Sequence, residues 1–413
     1  MTAPTPSEVP EQAPALPPER WAELVLVTPR GVLLGKLPPV RVDGPWWPEV
    51  ASVVRVVRER HGVDVIVLRL LHAERGGPPG GRVTYLAEVA APVACDPCEL
   101  ALDEHPLRNA YARPGGPQRD LAWATGILAA RGLACSGPAE QIKTWNLSSL
   151  WRLPLRGGHA WLKVVPPFFA HEGPLIAALE RHGGVPQLLG YERGRMLMAE
   201  IPGTNGFHAT LAERGQMIDL LVRLVSSCRA ELPALLALGL PDFRAQPLSG
   251  AIANSVERHA RELDAQDART LSRFVAGLDA RWAQLSECGL PDGLVHGDFH
   301  SGNVRVAGEQ LTLLDWGDAG IGHPLLDQSA FLERVPDEQR SALREHLQST
   351  WQRAVPGCEP ARAAVCIEPI AAARQAVIYD QFLAQIEPAE HPYHRDDPVR
   401  WLQRAARACE PPR

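Results

Sequence analysis

The chain has 413 residues, enough for two or three domains, and its 45% hydrophobic and 22% charged residues are ordinary for a globular protein. Its 42 basic and 48 acidic residues give a net charge of −6, which argues against a strongly basic, non-specific nucleic-acid binder and favours small-molecule partners. Only three of the basic residues are lysines: Lys36, Lys143 and Lys163. In a chain this biased towards arginine, a retained lysine is a candidate for a position that requires a compact ammonium group.

The eight cysteines are spread along the chain without the pattern of a disulfide scaffold, which favours a reducing compartment such as the cytoplasm. Cys95 and Cys98 form a single CxxC pair with no second pair or nearby histidine, so we interpret them as linker sequence. No segment resembles a signal peptide or a membrane span, and we expect no export and no membrane partner.

Composition and hydrophobic periodicity divide the chain into five predicted parts. Proline density predicts a disordered tail, and turn residues mark the later boundaries. The parts are a tail at 1–18, a small α/β module at 19–95, a linker and helix at 96–138, a β-rich part at 139–202 and a mainly helical part at 203–413.

The α/β module at 19–95 is predicted as a hairpin, a helix at 48–61 and two further strands. This order resembles a degenerate Nudix module. A Nudix helix needs clustered glutamates to hold a divalent metal, and the run at 55–62 keeps only Glu59. We therefore expect that hydrolysis is lost and that the module has a scaffold or regulatory role. Nudix-type hydrolysis would require acids from elsewhere in the chain.

The β-rich part is predicted to contain strands at 141–147, 150–155 and 160–165, a helix at 167–182, and strands at 187–191 and 196–200. Helices are then predicted at 211–232, 252–274, 281–288, 368–386 and 398–406, interrupted by a short β-like insert at 294–316.

The β-like insert contains the most informative motif. Transfer of a phosphoryl group needs a carboxylate that orients or deprotonates the acceptor hydroxyl, and further oxygen ligands for Mg²⁺. Asp298 supplies the first carboxylate, and Asn303 and Asp315 supply the metal ligands. The fixed positions of the loop are His296, Gly297, Asp298, His300 and Asn303.

This motif resembles the active centre of the aminoglycoside phosphotransferase and choline kinase superfamily, and the resemblance covers about residues 139–400. It implies an α+β, bilobal protein-kinase-like fold with a small antiparallel β N-lobe and a mainly helical C-lobe. It also implies a kinase that uses Mg²⁺ and ATP, or GTP, to phosphorylate a hydroxyl of an aminoglycoside-like or other small metabolite.

The resemblance assigns further roles in the nucleotide site. Lys163 is expected to bind phosphates and to pair with Glu172, for which Glu180 is the alternative. A turn containing Ser148 and Ser149 is expected to cover the phosphates, although a plain hairpin turn is as consistent with these residues. The backbone of the hinge at Glu200 and Ile201 is expected to bind the base. Trp161 lies on the same strand face as Lys163, so it is expected to reshape the base pocket.

Supporting residues are expected around the catalytic loop. His296 and His300 would hold it by hydrogen bonds, Asp327 would be a structural anchor at the N-terminus of a helix, and Asp318 would assist metal or substrate binding.

The sequence is consistent with an alternative function and with a candidate acceptor site. A nucleotide-binding pseudokinase or sensor that acts through the N-terminal module is the alternative function, which the intact Asp298, Asn303 and Asp315 argue against. A set of acids near the C-terminus could attract a cationic acceptor, although a solvated surface explains them equally well. These acids are Asp380, Glu387, Glu390, Asp396 and Asp397.

Overall fold

The computed structural model describes residues 18–410, so the predicted tail lies outside the described residues except for Pro18. The described chain has a mixed α+β fold, with β-sheets dominating the first half and helices the second. Within residues 18–410, no helix has the length and apolar character needed to cross a membrane.

The N-terminal module is a four-stranded sheet with one helix. Strands β1 and β4 are parallel, the other pairs are antiparallel, and the order is β2-β1-β4-β3. Valines at helical spacing bury one face of the helix against the sheet, and Gly62, in the left-handed conformation (φ 66°), ends it. The elements are β1 (Arg20–Val27), β2 (Leu33–Val42), α1 (Ala51–His61), β3 (Ile66–Ala73) and β4 (Gly81–Glu88).

The segment predicted as linker and helix packs against the next sheet. A 3₁₀ turn at Ala110–Ala112 leads into α2 (Gly116–Ala130). Tyr111 and Leu128 are buried in one cluster with Trp151 and Leu162 of that sheet. The second half of this segment is therefore part of a packed layer.

The second sheet is antiparallel with the order β5-β6-β7-β9-β8. Helix α3 (Glu172–Leu179) lies between β7 and β8 in the chain, flanked by 3₁₀ turns. The strands are β5 (Glu140–Trp145), β6 (Ser148–Leu155), β7 (Gly158–Val164), β8 (Leu188–Glu192) and β9 (Arg195–Ala199).

The C-terminal part is helical with short strands between the helices. Its helices are α4 (Leu211–Ser227), α5 (Leu232–Ala237), α6 (Ala245–His259), α7 (Ala265–Ala276), α8 (Leu278–Glu287), α9 (Gln328–Glu333), α10 (Asp337–Ala354), α11 (Pro360–Gln385) and α12 (Asp397–Ala408). Its strands are β10 (Thr204–Asn205), β11 (Asp242–Phe243), β12 (Gly293–Val295), β13 (Val304–Ala307), β14 (Gln310–Leu313) and β15 (Gly320–Gly322).

The helix predicted at 252–274 is wrong, because the structure has two helices there. The Asp264 side chain accepts hydrogen bonds from the backbone N–H groups of Gln266 and Asp267, both at 2.8 Å. This N-cap starts α7 and so separates it from α6.

Candidate functional site

The loop after β12 carries Asp298, and Asp327 fixes its backbone. The Asp327 carboxylate accepts hydrogen bonds from the backbone N–H groups of His296 and Gly297, both at 2.7 Å. The His296 ring is fully buried, and its Nε2 lies 2.9 Å from the carbonyl oxygen of Leu314. The loop is therefore held by buried hydrogen bonds.

Gly297 is required by the path of this loop. Its φ is 92°, and a Cβ at this position would lie 2.1 Å from the carbonyl oxygen of Asp318. The buried guanidinium of Arg374 lies over the ring of Phe243 and reaches the Gly297 carbonyl oxygen at 3.4 Å. Sequence reasoning missed Arg374, because no motif marks an arginine in the alanine-rich helix α11.

Three side chains surround the Asp298 carboxylate. Asn303 donates from Nδ2 to the Asp298 carbonyl oxygen at 2.9 Å and to Oδ2 at 3.2 Å. His300 Nε2 lies 3.4 Å from Oδ2, and Arg334 Nη1 lies 3.2 Å from Oδ1. Burial opposes ionisation of Asp298, but the His300 hydrogen bond and the Arg334 charge outweigh it and lower the pKa of this carboxyl. Asp298 is therefore an ionised acceptor.

Lys163 joins the β-sheet to the helical part. Its Nζ lies 2.7 Å from Glu172 Oε1 and 2.6 Å from Asp315 Oδ1. Although burial opposes the charge, these two carboxylates raise the pKa of Lys163, and its ammonium holds the pKa of Asp315 well below the usual range. Glu172 also accepts from the backbone N–H of Trp316, whereas Glu180 accepts from a backbone N–H of β8. The structure thus brings Glu172, and not Glu180, to Lys163.

Side-chain oxygen atoms near the ion pair of Lys163 and Asp315 are of a kind that fits a divalent cation. Asp315 exposes 55% of its side chain, and Asn303 uses its Nδ2 group on Asp298, which leaves its Oδ1 as an acceptor. Burial, followed by the charges of Asp298 and Asp315, raises the pKa of Asp318 to about 8. Lys163 therefore stabilises the charge of Asp315, and His300 and Arg334 that of Asp298, whereas Asp318 lacks such a partner among the described residues. Hard oxygen ligands of this kind suit Mg²⁺.

A first cavity of about 260 Å³ lies under the second sheet and contains most of the predicted nucleotide residues. Trp161 lines it, as expected from its strand face. Ser149 does not line it, because its Oγ accepts a hydrogen bond from Trp151 Nε1 at 3.0 Å on the opposite face of β6. The predicted contact of the Ser149 side chain with phosphate is therefore not supported. The lining includes Lys143, Ser148, Leu150, Trp161, Lys163, Glu172, Met198, Glu200, Ile201 and Asp315.

A second cavity of about 300 Å³ lies beside the first, between the catalytic loop and the C-terminal helices. The two cavities share four lining residues, so they meet beside Lys163 and Asp315. The shared residues are Lys143, Ser148, Lys163 and Asp315. The remaining lining consists mainly of aromatic side chains and of polar side chains from the loop after β12 and its surroundings. It includes Trp145, Phe169, Asp298, His300, Asn303, Asp318, Arg334, Tyr379, Phe382 and His394.

The acids expected to attract a cationic acceptor do not line this second cavity. Asp380 is buried against His259 at 2.7 Å, and Glu387 pairs with Arg108 at 2.8 Å. Glu390 is buried. Residues distant in sequence take up the charges of Asp380 and Glu387, and for that reason the sequence did not reveal their pairing. Asp396 and Asp397 pair with the nearby Arg400 and His394.

Sequence reasoning also missed the aromatic and basic lining of this second cavity. His394 Nε2 lies 3.2 Å from Asn146 Oδ1, and its ring lies 5.4 Å from that of Trp145 and 5.6 Å from that of Tyr379. The scarcity of lysine could have marked Lys143 as a candidate site residue. Nothing in the sequence distinguishes Arg334 from the many other arginines.

The family model described as the phosphotransferase enzyme family matches residues 150–364, just over half of the chain. No curated protein sequence matches the chain.

Solved structures resemble the chain at low sequence identity. A choline/ethanolamine kinase family protein from Mesorhizobium loti is 19% identical, with 71% of this chain and 95% of that chain covered and a TM-score of 0.52. Choline kinase LicA from Streptococcus pneumoniae is 13% identical, with 71% and 99% covered and a TM-score of 0.50. At this identity the likeness establishes the fold, which is that of the protein-kinase-like phosphotransferases.

Proposed function

Because the chain belongs to the phosphotransferase enzyme family, we propose that it transfers the γ-phosphoryl group of ATP or GTP to a hydroxyl group of a small molecule. The observation that carries this proposal is the junction of the two cavities. A lysine, its paired carboxylates and an ionised aspartate meet at this junction. A phosphoryl group would pass there from the first cavity, the nucleotide cavity, to the second, the acceptor cavity.

Asp298 would act on the acceptor hydroxyl. Its carboxylate lines the acceptor cavity and is kept ionised by His300 and Arg334, so it can accept a hydrogen bond from the hydroxyl and take its proton as the new P–O bond forms. His296 is buried, and burial lowers its pKa, so it stays neutral and only supports the loop.

Lys163, held by Glu172, would bind the triphosphate. The base would lie deeper in the first cavity beside Trp161, with the backbone at Glu200 and Ile201 as its hydrogen-bonding partner. Asn303 and Asp315 would hold Mg²⁺, which supplies charge neutralisation of the phosphate oxygens when bound. Transfer of this kind depends mainly on positioning and charge stabilisation, which are the roles proposed for these residues.

The lining of the acceptor cavity favours an acceptor with little positive charge, or with a single cationic group, over a polycationic one. The aromatic rings of Trp145, Tyr379 and Phe382 line it, and an aromatic ring attracts one desolvated cation by roughly 0.5–2 kcal/mol. Arg334 pairs with Asp298 at 3.2 Å and so takes up negative charge that a polycation such as an aminoglycoside would need.

A thermal-shift screen tests this assignment. The chain would be heated with Mg²⁺, a non-hydrolysable ATP or GTP analogue and a panel of acceptors: choline-like amino alcohols, homoserine, sugars and aminoglycosides. We expect stabilisation by the nucleotide that requires Mg²⁺, with a further rise from an acceptor of low positive charge. Acceptors that stabilise the chain would then be assayed for phosphorylation.

A further inference from the structure

Lys143 lies on the same face of the second sheet as Lys163. In the antiparallel register, Leu150 of β6 pairs with Lys143 of β5 on one side and with Lys163 of β7 on the other. Residues directly opposite in antiparallel strands share a face, and all three line the nucleotide cavity. A row across three strands therefore presents two lysines to the same space.

An irregularity in β5 produces this arrangement. The register between β5 and β6 shifts between Gln141, which pairs with Trp151, and Lys143. Uninterrupted pairing would place Ile142 opposite Leu150 and turn Lys143 to the opposite face. A bulge re-aims a side chain in this way, and bulges are common next to active sites.

The N-terminal module holds the other edge of β5 at the bulge. The backbone N–H of Val50 donates to the Ile142 carbonyl oxygen at 3.2 Å, and that of Thr144 donates to the Pro48 carbonyl oxygen at 3.0 Å. Lys143 itself forms an isolated β-bridge with Glu49. The module thus fixes the backbone on both sides of the Lys143 side chain.

The ammonium group of Lys143 has no carboxylate within ion-pair distance in the part of the chain that the structure describes. Its Nζ lies 4.5 Å from the centroid of the Trp145 ring. Burial lowers the pKa of Lys143, and the nearby Asp315 opposes this. A partly buried cation without a paired anion is costly, and a bound anion would reduce that cost.

Together, these observations lead us to propose that Lys143 is a second phosphate-binding lysine, which contacts the γ-phosphoryl group where the nucleotide and acceptor cavities meet. This inference rests on the proposed function and adds a residue to it. It also gives the N-terminal module a role, because the module's pairing with β5 keeps Lys143 in the cleft. The phosphates would thus lie between Lys163 and Lys143, without a glycine-rich loop.

The competing explanation is that Lys143 has a structural role, in which its ammonium group only packs against the Trp145 ring and contacts no phosphate. The two explanations differ in their effect on nucleotides. A contact with the γ-phosphoryl group strengthens binding of a triphosphate more than of a diphosphate, whereas a packing role affects both equally.

The test is a calorimetric titration of wild type, Lys143→Met and Lys36→Met with Mg²⁺ and either ADP or AMP-PNP, or the guanosine pair if the wild type prefers it. Methionine keeps the unbranched stem and removes the charge. Lys36 is the matched control, because it pairs with Glu23 at 3.3 Å in the N-terminal module and lines neither cavity. We expect Lys143→Met to weaken triphosphate binding roughly tenfold or more relative to diphosphate binding, and Lys36→Met to leave the ratio unchanged.

An unchanged ratio of the two dissociation constants in Lys143→Met would overturn this inference while leaving the proposed function intact. If the wild type bound neither nucleotide, the proposed function would fail and this inference with it. The ratio of the triphosphate and diphosphate dissociation constants does not depend on the folded fraction of the variant. Lys143→Gln provides the same comparison if Lys143→Met does not fold.

Discussion

Asp315 is the one non-glycine residue among residues 18–410 with a positive φ, at 64°. A conformation of this kind costs about 1–3 kcal/mol and persists only where the surroundings impose it. Here Lys163 binds the carboxylate of Asp315, and Glu172 binds the backbone N–H of the next residue, Trp316. These contacts impose the strained conformation and keep an exposed carboxylate directed at the junction of the two cavities.

Replacing Lys163 with arginine should damage the nucleotide site. The Lys163 ammonium fits between Glu172 and Asp315 with 14% of its side chain exposed, and a planar guanidinium cannot occupy this space without displacing one of them. We expect Lys163→Arg to weaken binding of Mg²⁺ and AMP-PNP about tenfold or more in calorimetry. Lys36→Arg serves as the control, and a Lys163→Arg variant with near-normal affinity would show that the scarcity of lysine has no functional meaning.

At the residue scale, the sequence predicted the side chains that lie within motifs. It predicted Asp298, Asn303 and Asp315 because their spacing is local. The sequence placed Ser148 and Ser149 in a turn, but both lie in β6, where adjacent residues point to opposite faces, so only Ser148 faces the cleft. The orientation of Lys143 could not be predicted from the sequence. It depends on the one extra residue that the bulge in β5 adds to the pairing of β5 with β6.

At the element scale, hydrophobic periodicity predicted most strands and helices of both sheets and of the C-terminal part. It failed where a polar residue decides a boundary, as at the N-cap Asp264. It also could not show how the 3₁₀ segment Pro388–Tyr393 packs, because its partners lie in the N-terminal module.

Glu390 in this 3₁₀ segment should make stability depend on pH. Burial, then the neighbouring Glu387, raises the pKa of Glu390 to about 8. The native state therefore keeps a proton that the unfolded chain releases near its ordinary pKa, so stability falls as the pH rises from about 4.5 to 8. Glu390→Gln mimics the protonated form and should become more stable than wild type over this range, by up to about 1.4 kcal/mol per pH unit.

Thermal unfolding of both proteins at several pH values between 4.5 and 8.5 checks this prediction. The difference in melting temperature should be smallest in acid and should grow with pH. A difference that is constant across the range would mean that Glu390 titrates normally in the folded chain.

At the scale of the whole molecule, buried charges connect parts that are distant in sequence. Glu387, after α11, pairs with Arg108 at 2.8 Å and with Arg69 of β3 at 3.5 Å, and all three side chains are at least nine-tenths buried. Asn146, at the turn after β5, donates to the Glu390 carbonyl oxygen and contacts His394 of the acceptor cavity. The N-terminal module, the second sheet and the acceptor cavity are thus joined by one set of contacts.

Removing the Glu387 carboxylate should destabilise the chain without affecting the nucleotide site. Glu387→Gln leaves two buried guanidinium groups next to each other, and breaking a buried pair in this way costs about 3 kcal/mol or more. Denaturant unfolding should show this loss, with the exposed Glu345→Gln in α10 as control. Nucleotide affinity should remain unchanged, because Glu387 does not line the nucleotide cavity. If Glu387→Gln unfolded at the same denaturant concentration as wild type, the ion pairs of Glu387 would contribute nothing to the free energy of unfolding.

The association of these parts could not be predicted from the sequence. The catalytic motif and the two-lobed fold follow from local patterns and from their resemblance to a family. The ion pairs span up to 318 positions of the chain, from Arg69 to Glu387, and nothing in the local sequence indicates which arginine meets which acid.

Asp298 is the residue proposed to act on the hydroxyl that receives the phosphoryl group. The most direct measurement is ³¹P NMR of wild type and Asp298→Asn with Mg²⁺, ATP or GTP, and an acceptor that stabilises the wild type. We predict a phosphomonoester and nucleoside diphosphate in equal amounts with wild type. With Asp298→Asn we predict a rate lower by a factor on the order of 10² to 10⁴ and nearly unchanged nucleotide affinity. Phosphomonoester formation at the wild-type rate by Asp298→Asn would contradict the account.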